Sequence, residues 1–209
     1  MQTEMQTLKT GTTTMGISAR DAVVLAAEKK ATMGYLIESK LARKVHPLDD
    51  HLGLTIAGSV GDAQAMVRLL RAQFKLYRLD RGAITVKAAA TLMMNILQGS
   101  KWMPFFNQFI LGGYDSVGPQ VYSIDLAGGS SNEDKFFSTG SGSPYAYGVL
   151  EAGFRENMPV DEAIALALRA LKSAIERDIG SGGRGFTIAV IDKNGYRELS
   201  ENEIKQYLK

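Results

Sequence analysis

The chain contains no cysteine in its 209 residues. It can therefore form no disulfide, thiolate nucleophile or cysteine zinc site, and this composition suits a reducing compartment, so a cytoplasmic location is expected. Histidine is nearly absent too: the 2 present, His46 and His51, lack HExxH spacing, which disfavours a metal hydrolase. We expect neither a metal nor a cofactor. No stretch approaches the roughly 18 apolar residues of a spanning helix, and residues 1–11, MQTEMQTLKTG, lack the apolar centre of a secretory signal. Neither charge sign dominates, with 24 Lys+Arg interspersed among 22 Asp+Glu, so no basic stripe points to nucleic acid and none to an anionic membrane. Proline is scarce, at 5 residues, while 45% of the chain is hydrophobic, which argues for one well-packed domain. No solenoid-period repeat, low-complexity segment or linker interrupts it.

What is present falls into strand sets and helix pairs. Short β-favouring runs at 13–17 and 22–28 flank Ser18-Ala19-Arg20-Asp21 and predict an N-terminal hairpin. A further strand is expected at 52–57, followed by a helix capped by Ser59 and running to about 79. Its residues Ala63, Met66, Val67, Leu70, Phe74 and Tyr77 recur at three- and four-residue steps, as one buried face requires. A second helix is predicted over 85–98, then strands over 109–114, 120–124 and 135–139, a helix pair over 144–154 and 160–178, strands over 186–192 and 196–199, and a short helix from Ser200. Such an order does not alternate strand and helix singly. The expected class is α+β, a four-layer αββα sandwich of two antiparallel sheets between helical layers.

The run Gly11-Thr12-Thr13-Thr14 admits two readings. It is either a tail entering its first strand or a cleavage junction that makes Thr12 a new N-terminus. In the second case one residue supplies both a hydroxyl nucleophile and, in its α-amine, a base with a reference pKa of roughly 7.7–8.0. While Gly11 is attached, that nitrogen is an amide, so processing would switch the chemistry on. Read locally, Lys44 beside Lys40 and Arg43 is a solvated charge, Glu28-Lys29-Lys30 an exposed strand end, and Gly140-Ser141-Gly142-Ser143 a turn fitting neither GxGxxG nor a P-loop. His46 reads as surface or pocket wall, His51 as a loop residue, and Leu92-Met93-Met94 as core. No GxSxG elbow is present.

Thr10-Gly11-Thr12-Thr13-Thr14, Ala57-Gly58-Ser59-Val60-Gly61-Asp62-Ala63-Gln64 and Ser138-Thr139-Gly140-Ser141-Gly142-Ser143, with Gly112-Gly113-Tyr114-Asp115, Tyr147-Gly148-Val149-Leu150-Glu151 and Arg177-Asp178, resemble proteasome β subunits of archaeal type in order and spacing over nearly the whole chain. The resemblance implies an N-terminal nucleophile hydrolase fold and a self-processed threonine endopeptidase, with residues 1–11 a propeptide cut between Gly11 and Thr12 and residues 12–209 the catalytic domain. It implies Thr12 as nucleophile, Lys44 favouring its alkoxide and Glu28 holding Lys44. Asp178, Ser181 and Ser141 would orient the N-terminal residue. The backbone N–H of Gly58 would serve the oxyanion, the backbone of Thr32 would be the rail for the substrate peptide, and Ala31, Ala42, Val45, Ile56 and Val60 would line a small apolar pocket favouring hydrophobic side chains before the scissile bond. The implied partners are proteasome α subunits and further β subunits in stacked seven-membered rings, an ATP-dependent unfoldase and unfolded protein substrates. Two alternatives stand beside this reading: a non-catalytic structural β subunit, and a subunit of the bacterial two-ring protease relative. The run Ile179-Gly180-Ser181-Gly182-Gly183 departs from the Ser-Ala-Ser-Gly run of many relatives, although Ser181 is retained.

Overall fold

The computed structural model describes residues 11–132 and 135–208; residues 1–10, most of the expected propeptide, lie outside the described residues. Along the chain, β1 (Thr14–Ser18) and β2 (Ala22–Glu28) form the predicted hairpin, and β3 (Ala31–Met33) and β4 (Leu36–Ser39) a small separate one. β5 (Val45–Asp49) and β6 (Leu52–Gly58) lead into α1 (Val60–Arg81) and α2 (Val86–Gly99). Then β7 (Asn107–Asp115), β8 (Gly118–Ile124), β9 (Ser130–Ser131) and β10 (Phe136–Thr139) precede α3 (Ser143–Gly153) and α4 (Val160–Arg177). β11 (Phe186–Asp192), β12 (Gly195–Glu198) and α5 (Glu201–Tyr207) follow. One five-stranded sheet has the order β10-β1-β2-β11-β12 and a second the order β5-β6-β7-β8-β9, with antiparallel pairing throughout.

The alternation of β2 explains how this mixed α+β structure is held together. Its sequence AVVLAAE is buried along its whole length. Ala22, Val24 and Ala26 join the apolar cluster formed with α3 and α4, while Val23, Leu25 and Ala27 point the other way and meet Ile110 and Val121 of the second sheet. Fully burying a side chain such as Leu25 stabilises by about 1.5–3 kcal/mol. On the far side of the second sheet, Ala63, Met66, Val67, Leu70 and Phe74 of α1 and Ala89, Ala90, Met93 and Leu97 of α2 close a third cluster with Leu54 and Phe109. Ser59, Thr85 and Ser200 accept backbone N–H bonds as N-caps, the last in a capping box with Glu203. Among the described residues no helix is long and apolar enough to cross a membrane.

The sequence reading omitted β3, β4, β5 and β9. Pro47 lies within β5, which sits at a sheet edge with a register shift between Pro47 and Asp49, a place where proline is tolerated and the strand signal weakens. β3 and β4 carry exposed apolar residues such as Met33, Leu36 and Ile37, so neither shows the alternation of a half-buried strand.

Candidate active site

The ends of β1, β2 and the segment entering β5 bring Lys44, held by Glu28, to the Thr12 hydroxyl. Thr12 enters β1 and is buried. The β1–β2 register sets Thr14 opposite Ala27, so Glu28 at the end of β2 comes alongside Thr13, whose backbone N–H donates to Glu28 Oε1 at 3.1 Å. Lys44, immediately before β5, donates from Nζ to Thr12 Oγ1 at 2.9 Å and is also ion-paired with Glu28 Oε1. The Glu28 carboxylate is fully buried and saturated. Oε1 accepts from Thr13 N and Lys44 Nζ, and Oε2 from Lys30 N at 2.7 Å and Gly182 N at 2.9 Å. The local readings of Lys44 as a solvated charge and of Glu28 as an exposed strand end are corrected by this burial. Burial also lowers the Lys44 pKa from its ordinary value, against the opposing pull of Glu28.

A second set of groups surrounds the Thr12 nitrogen. Its N–H donates to Ser141 Oγ at 3.1 Å, and Ser141 in turn donates to Asp178 Oδ2 at 2.6 Å. Ser181 donates to the same carboxylate oxygen at 2.6 Å and lies 2.6 Å from the Thr13 hydroxyl. β10 pairs with β1 and brings Ser141 across, while α4 ends at its C-cap Asp178, so the two strands and one helix terminus fix this network. Sequence reasoning missed two participants. Lys30 Nζ donates to the carbonyls of Ile179 at 2.6 Å and Ser181 at 3.2 Å, tying the Asp178–Ser181 turn to β2, and Thr13 adds its hydroxyl. In Glu28-Lys29-Lys30 a lysine looks like a solvated charge, and only the tertiary contact distinguishes it.

The expected substrate-binding residues divide between two faces. Thr32 is buried in β3 beside half-buried Ala31, and its Oγ1 accepts from Gly11 N at 2.8 Å. Ala42 is half-buried, Val60 is exposed in the first turn of α1, and Ile56 is buried under α1 and α2. Val45 faces another way: it is fully buried in the inter-sheet cluster with Val23 and Leu25. Strand alternation is the reason, because Val45 pairs with Thr55 facing the first sheet while His46 pairs with Leu54 on the opposite face, the one that also carries Ile56. Burial, with Arg43 nearby, lowers the His46 pKa to about 4 and keeps the ring neutral near pH 7. Gly58 ends β6 with φ at +140°, and a Cβ there would lie 2.1 Å from the Phe106 carbonyl oxygen, so only glycine fits.

Comparison with known proteins places this geometry. The proteasome subunit family model matches residues 8–191. The chain is 52% identical over 200 residues to the proteasome subunit beta of Methanocaldococcus fervens, covering 95% of this chain and 89% of that one. It is 49% identical over 209 residues to the proteasome subunit beta of Methanoregula boonei, covering 100% and 98% respectively. With the same protein of Methanospirillum hungatei the identity is 50% over 205 residues, 98% of this chain and 97% of that one. The chain belongs to the proteasome subunit family, and its relatives mark it as a β subunit of archaeal type.

Proposed function

We propose that this chain is a catalytic proteasome β subunit, a threonine endopeptidase whose residues 1–11 are removed to make Thr12 the N-terminal nucleophile of the domain 12–209. The observation that carries the reading is the 2.9 Å contact from Lys44 Nζ to Thr12 Oγ1, made by a lysine held on a buried, saturated Glu28. A buried ion pair is poor value as a stabilising device, since well-packed apolar residues serve as well or better. Its retention beside a hydroxyl is therefore better explained by chemistry. The non-catalytic structural subunit has no use for such a pair.

In the processed chain Thr12 Oγ1 attacks the peptide carbonyl and its proton passes to the Thr12 α-amine. The Lys44 charge lowers the cost of the alkoxide and enlarges the neutral fraction of the amine. Ser141 and Ser181, anchored on Asp178, orient that amine. The Gly58 backbone N–H stabilises the oxyanion, and the amine then returns its proton to the leaving nitrogen. Water hydrolyses the Thr12 ester to complete the turnover. The peptide lies along the Thr32 backbone as an added strand, and Ala31, Ala42, Ile56 and Val60 favour a hydrophobic side chain before the scissile bond. Such a pocket discriminates by only about 1–3 kcal/mol per methylene. Selectivity accordingly falls to enclosure: an αββα subunit packed with other β and α subunits in a barrel, fed unfolded protein by an ATP-dependent unfoldase in the cytoplasm.

Thr12→Ala, assembled with its α subunits, should lose peptide hydrolysis by at least about a thousandfold and fail to release residues 1–11, because nucleophile removal costs that much or more. Hydrolysis at the wild-type rate in that variant would remove Thr12 from the mechanism.

A further inference from the structure

Gln108 is the single exposed residue of β7. Strand alternation puts it on the same face as Ile110, which is buried between the sheets, and the β6–β7 register pairs it with Ala57, one residue before Gly58. The side chain stands at the open end of the inter-sheet space. There its Oε1 accepts the Gly140 backbone N–H at 3.2 Å. Gly140 in turn lies against Thr12: its φ is +93°, and a Cβ on it would fall 2.2 Å from the Thr12 carbonyl oxygen and 3.2 Å from the Thr12 Cβ. The next residue is Ser141, whose hydroxyl accepts the Thr12 N–H. Gln108 is therefore docked on the turn that serves the Thr12 nitrogen. Because Gly140 offers a donor, the amide presents its oxygen there and turns Nε2 outward. Among the described residues no group accepts from the two Nε2 hydrogens.

We propose that Gln108 binds the substrate segment that follows the scissile bond, its Nε2 donating to a backbone carbonyl of that segment while Oε1 stays on Gly140. The inference rests on Thr12 being the nucleophile. The Thr12 amine returns its proton to the leaving nitrogen, so the leaving segment begins beside that amine and Ser141, and Gly140 holds Gln108 at the same place. Thr32, the Gly58 N–H and the small apolar pocket act on the acyl side or on the scissile carbonyl itself. Gln108 supplies the leaving segment with a hold of its own. A backbone carbonyl suits a neutral donor because every residue carries one, so the contact accepts any sequence, as cleavage of unfolded chains requires. The Oε1 anchor orders the side chain before substrate arrives and reduces the cost of binding. In the free subunit the exposed Nε2 faces water, so nothing buried waits unpaired.

The test uses particles assembled with α subunits and two substrates that share one sequence up to the scissile bond. One continues for several residues to a quencher, and the other ends at that bond in an aminocoumarin, which offers no peptide carbonyl. The quantity read is the ratio of kcat/KM on the extended substrate to that on the short one, in which the amount of assembled enzyme cancels. Gln108→Met keeps the length of the side chain and loses both polar ends. Gln108→Glu keeps an acceptor for Gly140 and replaces the donors by a carboxylate oxygen. The ratio should fall about three- to tenfold in Gln108→Met, the size of one net hydrogen bond, and at least as far in Gln108→Glu. Equal losses on both substrates, complete loss included, overturn the assignment, since a side chain that only props the Gly140 turn slows both alike. An unchanged ratio in Gln108→Glu also overturns it, because the donors would not be needed. Thr12→Ala particles are run alongside. Hydrolysis of both substrates at the wild-type rate in that variant would remove the nucleophile on which the inference rests, a result distinct from an unchanged ratio in active Gln108 variants.

Discussion

Glu28 and Glu162 each hold one basic side chain, yet their surroundings differ completely. Glu28 and Lys44 have side chains 0% and 8% exposed, whereas Glu162 and Arg155 are 45% and 72% exposed. Glu162 occupies the first turn of α4, where a carboxylate favours the helix N-terminus and Arg155 adds little. Glu28 has left water entirely and recovers its hydration through Thr13, Lys30, Gly182 and Lys44. The contrast teaches that proximity of opposite charges says little by itself. Burial decides whether a pair is ornament on a surface or a charge held ready for a neighbouring hydroxyl.

The sharpest way to break the comparison is Glu28→Gln. The amide has one oxygen for the four donors that Glu28 satisfies, and it leaves Lys44 buried without a counter-charge. Removing one partner of a buried pair costs about 3–5 kcal/mol. Chemical denaturation should record a loss of that size, and assembled particles should lose about a hundredfold or more in kcat/KM as the Lys44 charge shifts from Thr12. A loss under about 1 kcal/mol with unchanged turnover would put Glu28 in the same class as Glu162.

His46 supplies an intermediate case, half-buried and with its pKa lowered to about 4 from an ordinary 6.5. Between those values the unfolded chain binds a proton that the folded chain refuses. Stability therefore rises with pH across pH 4 to 6.5, is fully present above 6.5, and is lost as the pH falls. With allowance for partial exposure the loss should be about 1 kcal/mol, or a few degrees in thermal midpoint. His46→Gln should flatten that slope between pH 4 and 6.5 relative to wild type. An unaltered slope would assign the acid sensitivity to carboxylates elsewhere.

This ordering by burial also explains what the sequence made legible. β2 and α4 announce themselves through local pattern, a continuous apolar run and a four-residue stripe, and Ser59, Thr85 and Ser200 mark their helices through cap chemistry. β5 was hidden by Pro47, and the β3–β4 hairpin by its exposed apolar residues. At the site the local pattern pointed the wrong way. Glu28, Lys30 and Lys44 lie among other charges, so every rule of local charge patterning makes them solvent-facing, and only the resemblance to proteasome β subunits gathered Glu28 and Lys44 around Thr12. Lys30 escaped both routes, because its contacts with Ile179 and Ser181 span about 150 residues. Val45 turns toward the first sheet because side chains alternate along β5, a placement that depends on register and is not legible in the local composition.

The smallest effect tests the other half of the comparison. Arg155→Ala removes the partner of Glu162, but both side chains already face water, so the Coulomb energy lost is screened and the freed arginine entropy is regained by the chain. Denaturant unfolding should change by no more than about 0.5 kcal/mol, and the change should shrink further in 1 M salt. Glu162 stays at the α4 N-terminus in the variant and keeps its favourable interaction with the helix dipole there. A loss comparable to that of Glu28→Gln would mean that this pair fixes the entry to α4, and with it the helix that ends at Asp178. Burial would then no longer be what separates the two glutamates.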